Sequence, residues 1–326
     1  MLFSNKKILI FGGLGFIGSN LCQTLLSEGA IVTIYDSCAK DTGYNFRNIK
    51  EIRKNIKFVR KDIRNLKDVS KEVKKNEIII NCAASTSHNL SMIKPFENIF
   101  VNVIGTLNIL ESIRMHNKYA RFIHLSTSTQ IGNLKNDIAD ENHPEFPKDV
   151  YSVNKMSSEK LSLIYANNYS LRVTVLRLAN VFGPRAAIHS SNFTFNNYFI
   201  GQALQGNPLT VYKPGKQKRN LIFIKDLIEG IMICIKKEKT IGQVYFLVSD
   251  THMSVLQIAQ NIVKVIGGKL NYINWPPHRK TIEIGDSILS NLKFKNDTKW
   301  IQKTQFIEGL LQCKKYYSDK MKYYIK

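Results

Sequence analysis

A tyrosine and a lysine stand four residues apart in the sequence YSVNK, at the start of a stretch with helical periodicity. On a helix this spacing places Tyr151 and Lys155 on one face. A nearby ammonium group stabilises a phenolate, so Lys155 is expected to lower the pKa of Tyr151 from the ordinary value of about 10. The pair could then act as general acid and base near neutral pH. The YxxxK spacing is short and common, and taken alone it favours a surface Tyr–Lys pair over a catalytic one.

Three glycines spaced by three residues, Gly12, Gly15 and Gly18, follow the first apolar run and open a helical segment. Glycine at these positions allows a tight turn, close approach of the backbone to a pyrophosphate, and close packing of helix on strand. Asp36 ends the second apolar run, where a carboxylate accepts hydrogen bonds from ribose hydroxyls and repels a 2′-phosphate. The pattern therefore predicts a site for NAD in preference to NADP.

A parallel sheet is the element that must position these groups. Short apolar runs rich in β-branched residues alternate with segments of helical period over about 180 residues. The runs are nearly continuous in hydrophobicity, which is typical of strands covered on both faces, and they lie at 7–11, 31–35, 56–59, 77–81, 121–125 and 172–178. The helical segments between them include 16–29, 66–75, 98–117 and 150–168. This alternation predicts an α/β fold with a doubly wound parallel sheet of the Rossmann type.

After Leu178 the alternation of strands and helices is interrupted by segments rich in proline and glycine. One helix is expected near 197–205, a helix and a strand return at 225–236 and 243–248, and irregular structure follows until a final helix from Thr304. We therefore predict an NAD-binding domain at 1–181 and 221–248, and a second, smaller α+β domain at 182–220 and 249–326.

The composition is that of a folded globular protein with an unusual charge. Hydrophobic residues make up 44% and charged residues 22%, which excludes a disordered chain. Forty-seven Lys and Arg against 25 Asp and Glu give a net charge of +22, and most of the surplus falls after residue 150. Such a surplus is compatible with nucleic acid, a membrane surface or an anionic small molecule. It is equally compatible with the codon bias of an AT-rich genome, which favours Lys, Asn, Ile and Tyr.

The cysteines and the hydropathy pattern exclude several other classes. No CxxC pair or Cys/His cluster is present, which indicates neither a disulfide framework nor a metal site, and a reduced, cytoplasmic location is predicted. The cysteines are Cys22, Cys38, Cys82, Cys234 and Cys313. No apolar stretch reaches the roughly 18 residues that a membrane span requires.

The glycine turn and the Tyr–Lys pair belong to a longer ordered set of motifs. In chain order they are GGLGFIGSN at 12–20, Asp36, KDI at 61–63, NCAA at 81–84, Asn102, STS at 126–128, YSVNK at 151–155 and LRLANVFGPR at 176–185. This set resembles the extended short-chain dehydrogenase/reductases, the NAD-dependent nucleotide-sugar epimerase/dehydratase family, of the UDP-glucose 4-epimerase type. The resemblance continues through KRNLIFIKDL at 218–227 and PPHRKTIEIGD at 276–286, and so covers nearly the whole chain.

The resemblance implies a role for individual positions of this sequence. Tyr151 and Lys155 match the catalytic pair, and Thr127 takes the place of the Ser or Thr that hydrogen-bonds the reacting hydroxyl. The residues implied to bind NAD are Gly12, Gly15, Phe16, Ile17, Gly18, Asp36, Asp62, Ile63, Ala83, Ala84, Asn102, Tyr151 and Lys155. Arginine suits a diphosphate because its planar fork donates to two oxygens at once. The residues implied to bind a nucleotide-diphosphate sugar in the second domain are Ser128, Asn180, Arg219 and Arg279.

The implied chemistry is proton and hydride transfer at a sugar carbon. Tyr151, held by Lys155, takes the proton of a sugar hydroxyl while hydride leaves that carbon for NAD, and Thr127 orients the hydroxyl. Reduction of the resulting ketone on its other face gives an epimerase, whereas its release gives a 4-dehydrogenase or 4-ketoreductase with the same residues. In the family's 4,6-dehydratases an Asp-Glu pair follows the threonine. Here Ser128 and Thr129 follow it, which disfavours a dehydratase because neither is a general acid or base at neutral pH.

A hypothesis of a different class is an RNA-binding protein that has kept the fold and lost catalysis. The tail CKKYYSDKMKYYIK interleaves lysines with Tyr316, Tyr317, Tyr323 and Tyr324, which could pair phosphates with base stacking. The alternative is a terminal helix that packs its tyrosines and solvates its lysines. Retention of Thr127 with the Tyr–Lys pair favours an enzyme, so no nucleic-acid partner is expected.

A homodimer is expected from the resemblance. The helical segments 98–117 and 150–168 correspond to those that form a four-helix interface in this family. Apolar residues on them are compatible either with that interface or with core packing, namely Ile109, Ile113, Leu161 and Ile164.

Overall fold

A seven-stranded parallel sheet forms the centre of the computed structural model, which describes residues 2–325. In chain order the strands are β1 (Lys7–Phe11), β2 (Ile31–Asp36), β3 (Ile56–Arg60), β4 (Ile78–Asn81), β5 (Arg121–Thr127), β6 (Arg172–Leu178), β7 (Asn180–Phe182), β8 (Pro208–Tyr212), β9 (Lys218–Phe223), β10 (Gln243–Leu247), β11 (His252–Ser254) and β12 (Lys269–Ile273). The main sheet has the order β10-β6-β5-β4-β1-β2-β3, and every strand pair in it is parallel. The six predicted runs before residue 180 all form strands of this sheet.

Helices cover both faces of the main sheet, and further helices accompany the second half of the chain. In chain order the α-helices of the described residues are α1 (Phe16–Ser27), α2 (Leu66–Val73), α3 (His88–Ile93), α4 (Pro95–Ile99), α5 (Gly105–His116), α6 (Val150–Tyr169), α7 (Phe195–Leu204), α8 (Ile224–Lys236), α9 (Val255–Val265), α10 (Pro277–Lys280), α11 (Leu292–Thr298) and α12 (Phe306–Ser318). Side chains alternate along a strand, so Ile8 and Ile10 of β1 share a core with α1 and α8. Leu9 and Phe11 share the opposite core with α2, α5 and α6. The prediction of a doubly wound α/β fold is confirmed.

Two smaller sheets, β11-β9-β7 and β12-β8, accompany the helices of the second half. The expectation of irregular structure between 249 and 303 was wrong, because α9 occupies part of that segment. Ser254 starts this helix with a capping box: its hydroxyl accepts from the Gln257 N–H, and the Gln257 side chain accepts from the Ser254 N–H. The sequence SVLQ carries that signal, which satisfies two backbone donors at a helix start. The boundaries of the two domains stay a prediction.

A buried ionic cluster ties α6 to the main sheet. Nη2 of Arg177, on β6, donates to Oε1 of Glu159 on α6 at 2.6 Å, and also pairs with Glu145. Burial alone would lower the pKa of the Arg177 guanidinium, but the hydrogen bond and charge of Glu159 raise it overall. Because Glu159 lies two turns after Tyr151, this cluster fixes the helix that carries the tyrosine.

The Lys- and Tyr-rich tail buries two of its tyrosines, Tyr317 and Tyr324, against the rest of the chain. The hydroxyl of Tyr317, which is fully buried, donates to the carbonyl oxygens of Gly183 and Ala186 at 3.2 and 3.0 Å. The hydroxyl of Tyr324 donates to Oδ1 of Asn48 at 2.7 Å. Because both rings are buried, neither is available to stack on a base. The packing therefore favours the structural interpretation of the tail.

Within residues 2–325, no helix combines the length and the apolar character needed to cross a bilayer. In the same residues no group of three His, Cys, Asp or Glu side chains is arranged to hold a metal ion. The five cysteines are free thiols, and the cytoplasmic location stays a prediction.

Candidate active site

The glycine turn between β1 and α1 leaves no room for a side chain at Gly12 or Gly18. Gly12 has a φ of +72°, and a Cβ atom there would lie 2.7 Å from the backbone N of Ala83. A Cβ atom on Gly18 would overlap the carbonyl oxygen of Gly12, and one on Gly15 would lie 3.3 Å from the same oxygen. The turn, α1 and the segment after β4 thus meet at backbone distance. This is the close approach that a pyrophosphate at a helix N-terminus requires.

A buried carboxylate at the end of β2 holds this turn. Oδ2 of Asp36 accepts from the Leu14 N–H at 3.1 Å, and Oδ1 accepts from the Cys38 N–H at 3.0 Å. Burial raises the pKa of the Asp36 carboxyl, and the two backbone N–H groups offset part of that rise. Phe16 and Ile17 follow as the half-buried first turn of α1. Asp36 therefore lies beside the turn, where the ribose interaction was predicted.

The residues expected near the adenine follow β3. Asp62 forms an ion pair with Arg64, with Nη2 and Oδ2 at 2.7 Å, and its carbonyl oxygen accepts from the Tyr35 hydroxyl at 3.0 Å. The side chain of Ile63 packs against the start of α5, because a Cβ atom on Gly105 would lie 2.5 Å from its Cδ1. Asp62 is thus held by Arg64 and Tyr35, and Ile63 is packed against α5. Contact of either residue with NAD stays a prediction.

Ala83 and Ala84 run past the glycine turn, and Asn102 holds the backbone that follows them. Asn102 lies in a π-helical turn, Phe100–Ile104, between α4 and α5. Its Oδ1 accepts from the Ser85 N–H at 3.0 Å and its Nδ2 donates to the Ser85 carbonyl at 3.0 Å. Because Asn102 bonds both backbone groups of Ser85, it holds the segment that follows β4 in place. Its direct contact with a cofactor stays a prediction.

Thr127, Tyr151 and Lys155 meet where β5 ends and α6 begins. Thr127 is the last residue of β5, and its side chain is close enough to Tyr151 to lower the pKa of the phenol. Nζ of Lys155 donates to the carbonyl oxygen of Leu125 at 2.5 Å. The three predicted catalytic residues therefore lie together at the carboxyl end of a central strand. Ligands bind at this edge of the sheet in doubly wound folds.

The expected effect of Lys155 on Tyr151 was wrong. Burial raises the pKa of Tyr151 to about 12, against an opposing contribution from the Thr127 side chain. Burial also lowers the pKa of Lys155 to about 8. Desolvation of the phenol is the largest cause, and Lys155, whose Nζ donates to the Leu125 carbonyl, is not among the groups that shift the pKa of Tyr151.

Three polar residues that the sequence analysis did not identify surround Tyr151. Oδ1 of Asp149 accepts from the Ser152 N–H at 2.8 Å and so caps α6. Nδ1 of His88 lies 2.7 Å from Oδ2 of Asp149, and its ring contacts the Tyr151 ring edge-on at 4.9 Å. The hydroxyl of Ser91 accepts from the Tyr151 N–H at 3.1 Å. An Asp two residues before the helical tyrosine is a recognisable N-cap signal, whereas nothing in its spacing marks His88.

Two of the predicted substrate residues lie near the ends of β5 and β6. Ser128 directly follows Thr127 and is 4% exposed. Asn180, at the start of β7, donates from Nδ2 to the carbonyl oxygen of Asn220 at 3.2 Å. That bond links β7 to β9, the strand that carries the first of the predicted arginines.

The predicted arginines lie in two segments beside an open depression of about 480 Å³, and neither arginine is among the residues that line it. Arg219 follows the loop at 214–217, and its Nη2 lies 2.5 Å from Oε1 of Glu283. Arg279 is on α10, in the segment that also supplies Trp275 and Glu283 to the wall of this depression. The pairing with Glu283 was not anticipated, and it means that the charge of Arg219 is already compensated.

Comparison with known proteins identifies the family. The model of the NAD-dependent epimerase/dehydratase family matches residues 8–247. The chain belongs to this family. It is 27% identical to human dTDP-D-glucose 4,6-dehydratase over 312 residues, which cover 94% of this chain and 84% of the relative.

Solved structures show the same architecture across the family. UDP-glucuronic acid 4-epimerase from Bacillus cereus, in complex with UDP-glucuronic acid and NAD, is 27% identical with a TM-score of 0.84, covering 96% of this chain and 99% of the other. dTDP-glucose 4,6-dehydratase from Bacillus anthracis, in complex with NAD, is 25% identical with a TM-score of 0.85, covering 98% of each chain. NAD is therefore the cofactor of this epimerase/dehydratase, and both epimerases and dehydratases are among its relatives.

Replacing Gly18 by alanine should weaken NAD binding. The added Cβ would overlap the Gly12 carbonyl oxygen, so the turn must open and its N–H groups move away from the pyrophosphate. We expect the Kd for NAD to rise at least about tenfold, which corresponds to about 1.4 kcal/mol, measured by calorimetric titration. Gly43→Ala is the matched control, because its Cβ would meet nothing closer than 3.7 Å. Equal affinities of the two variants would contradict this role of the turn.

Proposed function

We propose that this chain is an NAD-dependent epimerase that acts on a nucleotide-diphosphate sugar through a transient keto-sugar. The observation that carries the proposal is the meeting of Thr127, Tyr151 and Lys155 at the end of β5, with hydroxyl residues directly after Thr127. The family's dehydratases are expected to carry Asp-Glu at those two positions. An epimerase needs no such pair, because it only removes and returns one hydride and one proton at a single carbon.

In this proposal each residue of the chain has a distinct task. When bound, oxidised NAD supplies the hydride acceptor and a positive charge beside the phenol. Tyr151 then takes the proton of the sugar hydroxyl at its phenolic oxygen, and it returns a proton when the ketone is reduced on its other face. Lys155, whose pKa of about 8 leaves it mainly protonated at neutral pH, adds positive charge nearby. Thr127 holds the reacting hydroxyl against Tyr151.

The substrate would lie across the two halves of the chain. We assign the diphosphate to Arg219, Arg279 and Asn180, and a sugar contact to Ser128. Arg219 can give up its bond to Glu283 for a phosphate, because that carboxylate is only partly buried. The sugar and the nucleotide base are left unassigned.

Incubation of the NAD-loaded protein with a panel of nucleotide sugars in deuterated water tests the proposal. A 4-epimerase forms an epimer with no lasting change in NADH absorbance and no deuterium bound to carbon. Stoichiometric NADH would instead support the alternative, a 4-dehydrogenase or 4-ketoreductase, and loss of water from the sugar would support a dehydratase. Absence of all three products across the panel would contradict the proposed function.

We also propose a homodimer formed through an exposed apolar face on α3 to α6. Of the two explanations left open for Ile109 and Ile113, interface or core packing, the structure supports core packing, since both side chains are fully buried. Large apolar side chains that are exposed line the outer side of these helices instead, namely Ile93, Phe96, Phe100, Ile104, Val153 and Ile164. Exposed apolar side chains grouped on neighbouring helices are typical of a protein interface.

Replacing Phe96 by aspartate is expected to give a monomer. Phe96 is 76% exposed, so the substitution leaves the core unchanged while it places a charge at the centre of the apolar face. Light scattering should report half the mass of the unmodified protein. Tyr119→Asp is the control, because Tyr119 is 74% exposed at a site outside this face and should leave the mass unchanged. A monomeric parent protein would refute the dimer.

A further inference from the structure

Three buried asparagine side chains join the segment after β4 to the helix that carries Tyr151. Oδ1 of Asn98 accepts from Nδ2 of Asn154 and from Nδ2 of Asn102, both at 2.9 Å. Nδ2 of Asn98 donates to the carbonyl oxygen of Ser85 at 3.1 Å. Each of the three side chains is at most 5% exposed, and a buried network with its bonds made holds its members rigidly. Asn98, Asn102 and Asn154 thus form an amide junction between α4, α6 and the backbone at Ser85.

The two ends of the amide junction belong to the two halves of the predicted chemistry. Asn154 lies on α6, one residue before Lys155. Ser85 lies two residues after Ala83, and a Cβ atom on Gly12 would be only 2.7 Å from the backbone N of Ala83. The segment at 83–85 therefore packs directly on the glycine turn. The amide junction connects this turn, where NAD is expected, to the helix of the acid–base pair.

The bond to α6 is the contribution that only Asn98 makes to this arrangement. Asn98 is on α4 and Asn102 is in the π-helical turn, and residues four apart lie on one side of a helix. Both Nδ2 atoms donate to the Ser85 carbonyl oxygen. Because Asn102 already pairs with both backbone groups of Ser85, that segment is held without Asn98. Short π-helical segments are frequent at functional sites.

We propose that Asn98 and Asn154 are positioning residues that fix the distance between bound NAD and Tyr151. The proposal rests on the proposed role of Tyr151 as acid and base. The hydride of the sugar carbon leaves toward NAD while the proton of its hydroxyl leaves toward Tyr151, so both acceptors must be placed against one sugar at once. A displacement of about 1 Å can cost about a hundredfold in rate. The two asparagines act through the segment after β4 and through α6, without contact to the sugar.

Replacing Asn154 by alanine cuts the bond to α6. Oδ1 of Asn98 keeps its bond from Asn102, so that buried acceptor stays paired. We expect kcat to fall at least about tenfold, while the Kd for NAD and the KM for the nucleotide sugar change by less than about twofold. The isotope effect with deuterium on the oxidised carbon should rise, because hydride transfer becomes the slow step. An unchanged kcat and isotope effect would overturn the proposal.

Asn117→Ala is the matched control that separates positioning from support of the fold. Nδ2 of Asn117 donates to the carbonyl oxygens of Val73 and Asn76 at 2.8 and 2.7 Å. It precedes β5 by four residues, at the end of that strand opposite to Thr127. The control variant should lose stability but keep kcat and the isotope effect. If it raised the isotope effect as much as Asn154→Ala does, the effect would be one of stability and the proposal would fail.

A double variant tests whether the two asparagines act through one bond. Asn98→Ala and Asn154→Ala break the same bond, and residues that act through one interaction have effects that do not add. The double variant should therefore have the kcat of the slower single variant. A kcat lowered by the product of the two single effects would contradict the shared action.

Failure of the proposed function is distinguishable from failure of the amide junction. If the unmodified protein converts no nucleotide sugar, the proposed function fails, and hydrogen exchange of the NAD-loaded protein tests the junction without substrate. The Ser85 N–H, which is bonded to Oδ1 of Asn102, should exchange faster in Asn154→Ala and at the original rate in Asn117→Ala. Equal exchange at Ser85 in Asn154→Ala and the unmodified protein would overturn the junction.

Discussion

Replacing Tyr151 by phenylalanine is expected to lower kcat by about a thousandfold, the loss typical of a general acid and base. The substitution removes only the phenolic oxygen. The ring contact with His88 and the backbone bond to Ser91 involve other atoms, so the start of α6 should keep its position. Binding of NAD and the Tm should therefore change little.

Initial rates with the best nucleotide sugar from the panel, together with a calorimetric Kd for NAD, measure this effect. Tyr169→Phe is the matched control, because it removes a hydroxyl at the far end of α6, where the side chain is 48% exposed. Its kcat should equal that of the unmodified protein. A Tyr151→Phe variant with more than about a tenth of the original kcat would remove Tyr151 from the chemistry.

Replacing Arg177 by methionine is expected to lower the free energy of unfolding by about 3–5 kcal/mol. Methionine fills a similar volume but removes the buried cation that pairs with both Glu159 and Glu145. Glu159 is fully buried, and the half-exposed Lys160, at 3.9 Å, compensates its carboxylate only weakly, so this carboxylate carries the larger part of the cost. The double variant Arg177→Met with Glu159→Leu removes that charge as well, and should recover part of the loss.

Urea unfolding followed by circular dichroism measures the difference. Arg172→Met is the matched control on the same strand, because Arg172 is 37% exposed and its partner Glu238 is 72% exposed. Exposed pairs of this kind contribute at most about 1 kcal/mol. If Arg177→Met cost no more than Arg172→Met, the buried cluster would not be what holds α6 to the sheet.

The main sheet could be predicted from the sequence because its strands are covered on both faces. A run such as ILIF at 8–11 is apolar at every position, and parallel strands require that pattern. The small sheets, by contrast, include strands that are short or largely exposed, such as β11 and β12. β11 spans only His252–Ser254, and pairs with β9 across about thirty residues of chain, which no local pattern specifies.

The site residues that could be predicted from the sequence are those that lie close together along the chain or belong to a recognisable motif. The partners that define their chemistry come from elsewhere: Glu283 lies 64 residues from Arg219, and His88 lies 61 residues from Asp149. The prediction of a lowered pKa for Tyr151 was wrong because it also depended on parts of the chain distant in sequence. Helical spacing places Lys155 on the same face as Tyr151. It does not reveal that the Lys155 ammonium donates to the Leu125 carbonyl or that the phenol is desolvated.

The packing of the tail has a consequence for the order in which the molecule is completed during synthesis. Tyr324 bonds Asn48 across 276 residues of chain, and Nδ2 of Asn48 in turn donates to the carbonyl of Leu14 in the glycine turn at 3.1 Å. Chains emerge from the ribosome with the N-terminal part first. The glycine turn is thus synthesised early, whereas Tyr324, which holds Asn48 against it, is synthesised late. A nascent chain halted before residue 316 is expected to contain all the glycines of the turn and still to bind NAD weakly.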